Sequence, residues 1–223
     1  MKKRNAFTLV ELLSSLSILA FLVGTLLPML TQNSRQTEYK AGYQRAINNL
    51  NSAYTEYLQT GKDTGSSENG TLTEKVNDPA YIGETNDGVS MTTSEAIVEQ
   101  IFKKHLSTTS VEAGTFPGCV KREPKNEDEV VEDPKIFYTT DGMRYCVLYD
   151  TCAYNTNYSD NTCGEIWVDV NGKDGPNQIA RSSTHPADIF PVVIMKNRFI
   201  PGSVQESQAT ASTYAQNLYF GVN

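Results

Sequence analysis

The first thirty residues combine a basic cluster with a long apolar run. Lys2, Lys3 and Arg4 precede a run over residues 7–30 in which Glu11 is the only charged residue. An α-helix rises about 1.5 Å per residue, so a run of this length crosses a hydrocarbon core of roughly 30 Å. The pattern therefore predicts a membrane-spanning helix. The basic cluster predicts a cytoplasmic N-terminus with the rest of the chain outside.

Glu11 is an unusual residue in such a segment. An ionised carboxylate in hydrocarbon costs at least about 2.5 kcal/mol on insertion scales, which indicates that Glu11 has a function and a partner. A secretory signal would carry a small-residue cleavage site after the apolar run, whereas Asn5-Ala6 lies before it. We therefore expect the membrane segment to stay in the mature chain.

Apolar side chains recur at intervals of three and four residues in the next segment. They are Tyr39, Tyr43, Ile47, Leu50, Tyr54, Tyr57 and Leu58. This spacing places them on one face of a helix. Because no proline falls between residues 31 and 59, the membrane helix is predicted to continue outward as one rod. We expect Gly61 to end the rod and its aromatic stripe to pack against a head domain.

The C-terminal half has the pattern of a β-sheet. Four segments are rich in β-branched and aromatic residues: 135–140, 143–149, 165–170 and 189–195. Asp141-Gly142 separates the first two segments and predicts a hairpin. An antiparallel sheet packed on the outer half of the rod gives an α+β fold.

A short second helix is predicted between the rod and the sheet. Thr92 and Glu95 have the spacing of a capping box, and apolar residues follow at intervals of four from Val98 to Leu106. His105 lies on this helix beside two lysines. We expect it to be an exposed polar residue rather than a metal ligand.

Length and charge limit the classes of function. The chain has 223 residues and a formal net charge of −7. One globular head remains after the helical part. Nucleic acid is not an expected partner of the general surface, because phosphate binding needs a basic patch. The acidic balance suits solubility outside the cell.

The N-terminal sequence KKRNAFTLVELLSSLSILAFL resembles that of type IV prepilins and type II secretion pseudopilins, over about residues 2–58. The resemblance implies a pilin-like fold, with a long N-terminal helix packed on a C-terminal antiparallel sheet. It also implies that a prepilin peptidase cuts between Ala6 and Phe7 and that the new Phe7 amine is N-methylated. Ala6 stands where the family usually has glycine. Residues 8–12 follow the family pattern.

Pro28 falls where the helices of this family commonly carry a kink-forming proline. Proline lacks an amide hydrogen, and its ring clashes with a carbonyl of the preceding turn. We therefore expect the helix to bend or loosen between Gly24 and Pro28. Such looseness would help the helix to pack into a filament.

These features divide the chain into four parts. Residues 1–6 form a leader peptide, 7–30 a transmembrane and assembly helix, 31–58 its amphipathic extension, and 59–223 the α+β head. Loss of the leader removes three basic residues and changes the net charge to −10. The resemblance implies a single-pass precursor in the bacterial inner membrane that later lies in a periplasmic or cell-surface filament.

The expected function is that of a structural subunit of a type IV pilus-like or type II secretion pseudopilus filament. The Glu11 carboxylate would pair with the Phe7 amine of a neighbouring copy and so set the stagger between subunits. The resemblance implies four kinds of partner: further copies of the chain, other pilins or pseudopilins, a prepilin peptidase/methyltransferase and an inner-membrane assembly platform.

Two alternatives remain open from the sequence. One is a scarce minor pilin at the filament tip that acts as an adhesin or binding module through loops such as 61–73 and 153–162. The other, more remote, is a signal-anchored extracytoplasmic enzyme. No phosphate loop or nucleophile elbow is present, so we expect no enzymatic activity.

Four cysteines lie in the part that is predicted to be exported: Cys119, Cys146, Cys152 and Cys163. An even number outside the cytoplasm predicts disulfides. Cys152 and Cys163 flank a polar loop between two strands, so we favour this pair and leave Cys119 with Cys146. Four cysteines nevertheless allow three connectivities. A zinc site is the alternative, and the lack of a CxxC pair argues against it.

Oxygen-bearing side chains alternate with glycines in the segment DVNGKDGPN. Asp169, Asn171 and Asp174 in this segment are of the type that wraps a hard cation such as calcium. Lys173 inside the segment and its Asn-Gly and Gly-Pro pairs also fit a plain structural turn. A structural calcium is therefore an alternative to a turn, and we expect no other cofactor.

Overall fold

The computed structural model describes residues 8–60, 102–120, 133–149, 162–179, 187–195, 198–204 and 208–221. The helices are α1 (Leu9–Thr60), α2 (Lys103–His105) and α3 (Ala209–Phe220). The strands are β1 (Thr108–Ala113), β2 (Lys135–Thr139), β3 (Arg144–Tyr149), β4 (Thr162–Asp169), β5 (Ile189–Met195) and β6 (Phe199–Pro201). The chain divides into two compact units, Met1–Glu38 and Tyr39–Asn223.

The first unit contains the apolar part of α1. The segment Leu9–Leu26 has a mean hydropathy of 2.1, and none of it is buried. Leu9 is 77% exposed and Phe21 is 71% exposed. Among the described residues, this is the one helical segment that is long and apolar enough to cross a membrane. The predicted apolar helix is therefore present, and its surface suits hydrocarbon.

The second unit is built around one sheet. The strands follow one another in chain order from β1 to β6, and each pairs antiparallel with the next. The four predicted strands are confirmed as β2 to β5. The predicted hairpin is also confirmed, because Gly142, with φ +86°, donates its N–H to the Thr139 carbonyl at 3.0 Å between β2 and β3.

The outer part of α1 packs on one face of this sheet. Its buried stripe contains Tyr39, Tyr43, Ile47, Leu50 and Tyr54. The Tyr43 hydroxyl donates to the Pro191 carbonyl at 2.6 Å, and its ring centre lies 4.9 Å from that of Phe190. The predicted packing of the stripe is therefore confirmed for these five residues. The side chains of Tyr57 and Leu58 lie outside the described part of the chain.

A smaller cluster packs on the opposite face of the sheet. It contains Phe116, Cys119, Ile136, Cys146, Trp167, Ile189 and Ala211. Strand residues of the two clusters alternate, as the pleat of a sheet requires. In β3, for example, Tyr145 and Val147 face the α1 side, whereas Cys146 faces the smaller cluster. Both faces of the central strands are therefore covered.

Helix α3 and strands β1 and β6 were not predicted from the sequence. Helix α3 packs beside the core, where Tyr214 lies 6.2 Å from Phe190 and Tyr219 lies 6.4 Å from Tyr43 between ring centres. The helix ends at Gly221, whose φ of +73° is the left-handed conformation that commonly closes a helix.

The expected second helix is seen only at its C-terminal end. Helix α2 has three residues, and residues 92–101 lie outside the described part of the chain. The expectation that His105 is exposed is wrong, because its side chain is 9% exposed and Nδ1 lies 3.4 Å from Glu56 Oε1. Phe102 is fully buried beside it, so the short turn is anchored in the core and holds His105 against α1.

Candidate assembly site and polar network of the head

A disulfide between Cys119 and Cys146 ties the segment after β1 to strand β3. The two Cα atoms lie 6.1 Å apart, and both side chains are fully buried. This is the pairing that the sequence favoured, and it is confirmed. The side chains of Cys152 and Cys163 lie outside the described part, so their pairing stays a prediction.

The segment that carries Cys119 lies directly on the Trp167 indole. Gly118 has φ +90°, and a Cβ atom at this position would overlap the Trp167 ring. Only glycine allows both this backbone conformation and this close approach. The disulfide and the indole therefore fix the same segment to the sheet.

An ion pair joins Arg144 of β3 and Asp169 of β4, which stand opposite each other in the sheet. The Asp169 side chain is fully buried, and the Arg144 side chain is 13% exposed. Arg144 also donates to Asn177 Oδ1 at 2.9 Å, and its guanidinium lies 4.4 Å from the Phe116 ring centre. Burial raises the pKa of Asp169 to about 6, against the opposing effect of the Arg144 guanidinium.

The segment that follows β4 is closed by further hydrogen bonds. The buried Asp188 carboxylate accepts the Asn177 and Gln178 N–H groups, each at 2.7 Å. The Asn177 amide donates to the Lys173 and Asp174 carbonyls at 3.3 and 3.2 Å. These bonds make the segment a compact structural turn.

The three predicted calcium ligands, Asp169, Asn171 and Asp174, lie in or next to this turn. One Asp169 carboxylate oxygen is bonded to Arg144, and the Asn171 amide donates to the Gly175 carbonyl at 3.0 Å. Within the described ranges, no group of three or more His, Cys, Asp or Glu side chains is arranged to hold a metal ion. Calcium binding by Asp169, Asn171 and Asp174 stays a prediction that calcium-dependent melting would test.

The N-terminus of α1 is closed by a reciprocal pair of side chains. Glu11 Oε2 accepts the Thr8 N–H at 2.9 Å and the Thr8 hydroxyl at 2.8 Å. The Thr8 hydroxyl oxygen in turn accepts the Glu11 N–H at 3.3 Å. This is a capping box, whose Thr-x-x-Glu spacing is visible in the sequence but was not recognised in this segment.

Hydroxyl side chains farther along the apolar helix bond to its own backbone. Ser14 donates to the Glu11 carbonyl, Ser15 to Leu12, Ser17 to Leu13 and Thr25 to Phe21, all between 2.9 and 3.0 Å. These bonds satisfy the hydroxyl donors without an outside partner. The helix therefore keeps polar residues in an apolar segment at little desolvation cost.

Of the remaining residues that are predicted to act in assembly, only Gly24 and Pro28 lie in the described part of the chain. Lys2, Lys3, Arg4, Ala6 and Phe7 lie outside the described part of the chain. Gly24 and Pro28 both lie within α1, which continues through them to Thr60. A Cβ atom at Gly24 would meet nothing within 4 Å. A bend between Gly24 and Pro28 stays a prediction.

Residues 1–27 match a family model described as the prokaryotic N-terminal methylation motif. The chain carries the signature of type IV pilins and pseudopilins. No curated protein and no solved structure matched in the corresponding comparisons.

The signature supports a pilin-type precursor. It includes Ala6, Phe7 and Glu11, and it implies processing by a prepilin peptidase and assembly with other pilins. The apolar helix fits a membrane-anchored precursor, and the α+β layout of the second unit fits a pilin-like fold. The match ends before the head, so the disulfide and the Arg144–Asp169 pair are features that the motif does not explain.

Proposed function

We propose that this chain is a structural subunit of a type IV pilus-like or type II secretion pseudopilus filament. The observation that carries the proposal is the combination of the methylation motif with an exposed apolar helix that has Glu11 in its first turn. Such a helix needs either lipid or other helices around it. A filament formed by many copies supplies the second environment.

The geometry of Glu11 supports a role in assembly. The capping box uses only Oε2 of the carboxylate, and Oε1 accepts no hydrogen bond from the described residues. Cleavage after Ala6 would create a positively charged amine on Phe7, next to the capping residue Thr8. The free oxygen of one copy is then available to the amine of another, which would neutralise both charges inside an apolar bundle.

Partners and location follow from this proposal. The leader would be removed by a prepilin peptidase/methyltransferase, and the mature subunit would pass from the inner membrane to a periplasmic or cell-surface filament through an assembly platform. Other pilins or pseudopilins would be neighbours in that filament. The role needs neither a catalytic activity nor a cofactor.

Electron microscopy with antibodies against the head tests the proposal. We expect label along the full length of filaments that are sheared from cells. Label restricted to filament ends would favour the alternative of a tip-located minor pilin. A chain found only as membrane-bound monomers, in cells that make filaments, would contradict both.

A further inference from the structure

Glu165 is a buried carboxyl in the middle of the sheet that plays no part in the proposed assembly. It lies in β4 opposite Leu148 of β3 and Val193 of β5, and the residue is 1% exposed. Its Oε2 atom accepts the Ser203 hydroxyl at 2.9 Å and the Val204 N–H at 3.1 Å. The carboxyl therefore binds the residues that directly follow β6, which we call the β6–α3 junction (residues 202–204).

The β6–α3 junction positions the C-terminal helix. The Ser203 N–H donates to the hydroxyl of Ser212, a buried residue in the first part of α3. A chain of hydrogen bonds thus leads from Glu165 through Ser203 to α3. Farther along, α3 places Tyr214 and Tyr219 against the core. A change in the charge of Glu165 can therefore alter the position of α3, a helix that covers part of the core.

No described side chain compensates the charge of an ionised Glu165. Its described neighbours are Leu148 of β3, Val193 of β5, Ser203 and Val204 of the junction, and Trp167 on the same face of β4. Ser212 of α3 is linked to it through Ser203. None of them carries a charge. Glu165 Oε1 and Trp167 Nε1 are both buried without a well-formed hydrogen bond among the described residues, and the nearby Trp167 indole lowers the pKa of Glu165 only in part against the effect of burial.

We propose that Glu165 is a proton-controlled clasp, which holds the β6–α3 junction and α3 on the sheet when it is protonated and loosens them when it ionises. A buried carboxylate without a cation is unfavourable, and movement of the junction would admit water to it. The neutral acid fits the same place without that penalty. The head would then have a tight form and a loosened form that are selected by pH.

The direction of the pH dependence follows from the burial of the carboxyl. Burial raises the pKa of Glu165 from its ordinary value of 4.5 to about 7, although the Ser203 hydroxyl and the Val204 N–H act in the opposite sense. The folded chain therefore retains a proton that the unfolded chain would lose. This contribution to stability is fully present below pH 4.5 and is lost as the pH rises through about 7.

Hydrogen exchange of the full-length chain in detergent tests the clasp. The wild type is compared with Glu165→Gln, which keeps the shape of the side chain but cannot ionise, at about pH 5.5 and about pH 8.5. At the higher pH we expect residues 199–204 and 208–215 of the wild type to exchange about tenfold faster than those of the variant. At the lower pH the two should exchange alike. Equal exchange of this segment at both pH values would overturn the proposal.

Two controls separate the clasp from a general change in stability. Comparison at the same pH cancels the intrinsic pH dependence of amide exchange. The turn of the β2–β3 hairpin (residues 139–144) should exchange alike in both proteins, since it lies at the opposite end of β3 from Leu148, the residue that pairs with Glu165. Faster exchange of the hairpin together with the junction would show global loosening and would count against the clasp.

A second measurement does not depend on how well Glu165→Gln folds. Trp167 is the only tryptophan of the chain, and it lies beside Glu165. We expect the tryptophan emission of the wild type to change with a midpoint near pH 7. Ser203→Ala should lower that midpoint, because it removes a hydrogen bond that is made only in the tight, protonated form. A wild-type emission that does not change between about pH 5 and pH 9, or an unshifted midpoint in the variant, would contradict the proposal.

Discussion

Arg144 and Asp169 form an ion pair across the two central strands of the sheet, where they stand directly opposite each other. The same guanidinium reaches Asn177 in the turn that follows β4 and the ring of Phe116 in the disulfide-linked segment. A single side chain thus connects two loops on the face of the sheet opposite α1. The ion pair therefore holds both loops against that face of the sheet.

Removal of only one partner of this pair should be strongly destabilising. Arg144→Met leaves Asp169 buried without a cation, and we expect a loss of about 3–5 kcal/mol in the free energy of unfolding. The double variant Arg144→Met/Asp169→Leu should recover most of that loss, since no charge remains buried. Chemical denaturation of the three proteins measures both quantities. A double variant that is as unstable as the single variant would show that the charge pairing is not the cause.

Loss of the Cys119–Cys146 disulfide should also weaken the head. The bond closes a loop with a sequence separation of 27 residues, and we expect its replacement by two alanines to lower the free energy of unfolding by about 2–4 kcal/mol. The matched control replaces Cys152 and Cys163. Peptide mapping without reductant should show the Cys119–Cys146 link in that control. A link from Cys119 to any other cysteine would contradict the structure.

Gly118 and Gly142 offer a comparison between packing and backbone conformation. Both have a positive φ, but a Cβ at Gly118 would overlap Trp167, whereas a Cβ at Gly142 meets nothing within 4 Å. We expect Gly142→Ala to cost about 1 kcal/mol from the backbone alone. Gly118→Ala should cost about 1–3 kcal/mol more, as measured by thermal unfolding. Equal losses in the two variants would mean that the segment of Gly118 can move away from the indole.

Glu11 should be needed for assembly rather than for membrane insertion. We expect Glu11→Ala to fractionate with membranes as the wild type does but to enter sheared filaments poorly. Thr8→Val should have a smaller effect, because it removes the hydroxyl of the capping box but leaves the carboxylate for a neighbouring amine. Ser15→Ala is the control for loss of a hydroxyl in the helix. A normal filament yield for Glu11→Ala would refute the proposed pairing.

Much of the architecture could be predicted because its elements are marked by sequence patterns that extend over many consecutive residues. The apolar run, the Tyr39–Tyr54 stripe and strands β2 to β5 each rest on a repeated spacing or on a run of strand-forming residues. Helix α3 was missed because its buried positions include Ala211, Ser212 and Ala215, which give little hydrophobic contrast. Strand β6 has only three residues, and β1 is rich in threonine and serine.

The site was harder to predict because its contacts are distant in sequence. Asp169 has the chemistry of a cation ligand, and only the fold shows that Arg144, on the neighbouring strand, already binds it. His105 was expected to be exposed because its neighbours are lysines, yet Glu56 of α1 lies beside it. The Thr8–Glu11 capping box is different, since its spacing was present in the sequence and was not recognised.

N-terminal sequencing with intact mass spectrometry of the chain purified from its native cells tests the central claim most directly. The account predicts that the mature protein begins at Phe7, lacks residues 1–6 and carries one methyl group on its terminal amine. A mature chain that begins at any other residue, or that retains its leader, would leave Glu11 without the proposed amine and would contradict the assembly of this chain as a pilin-type subunit.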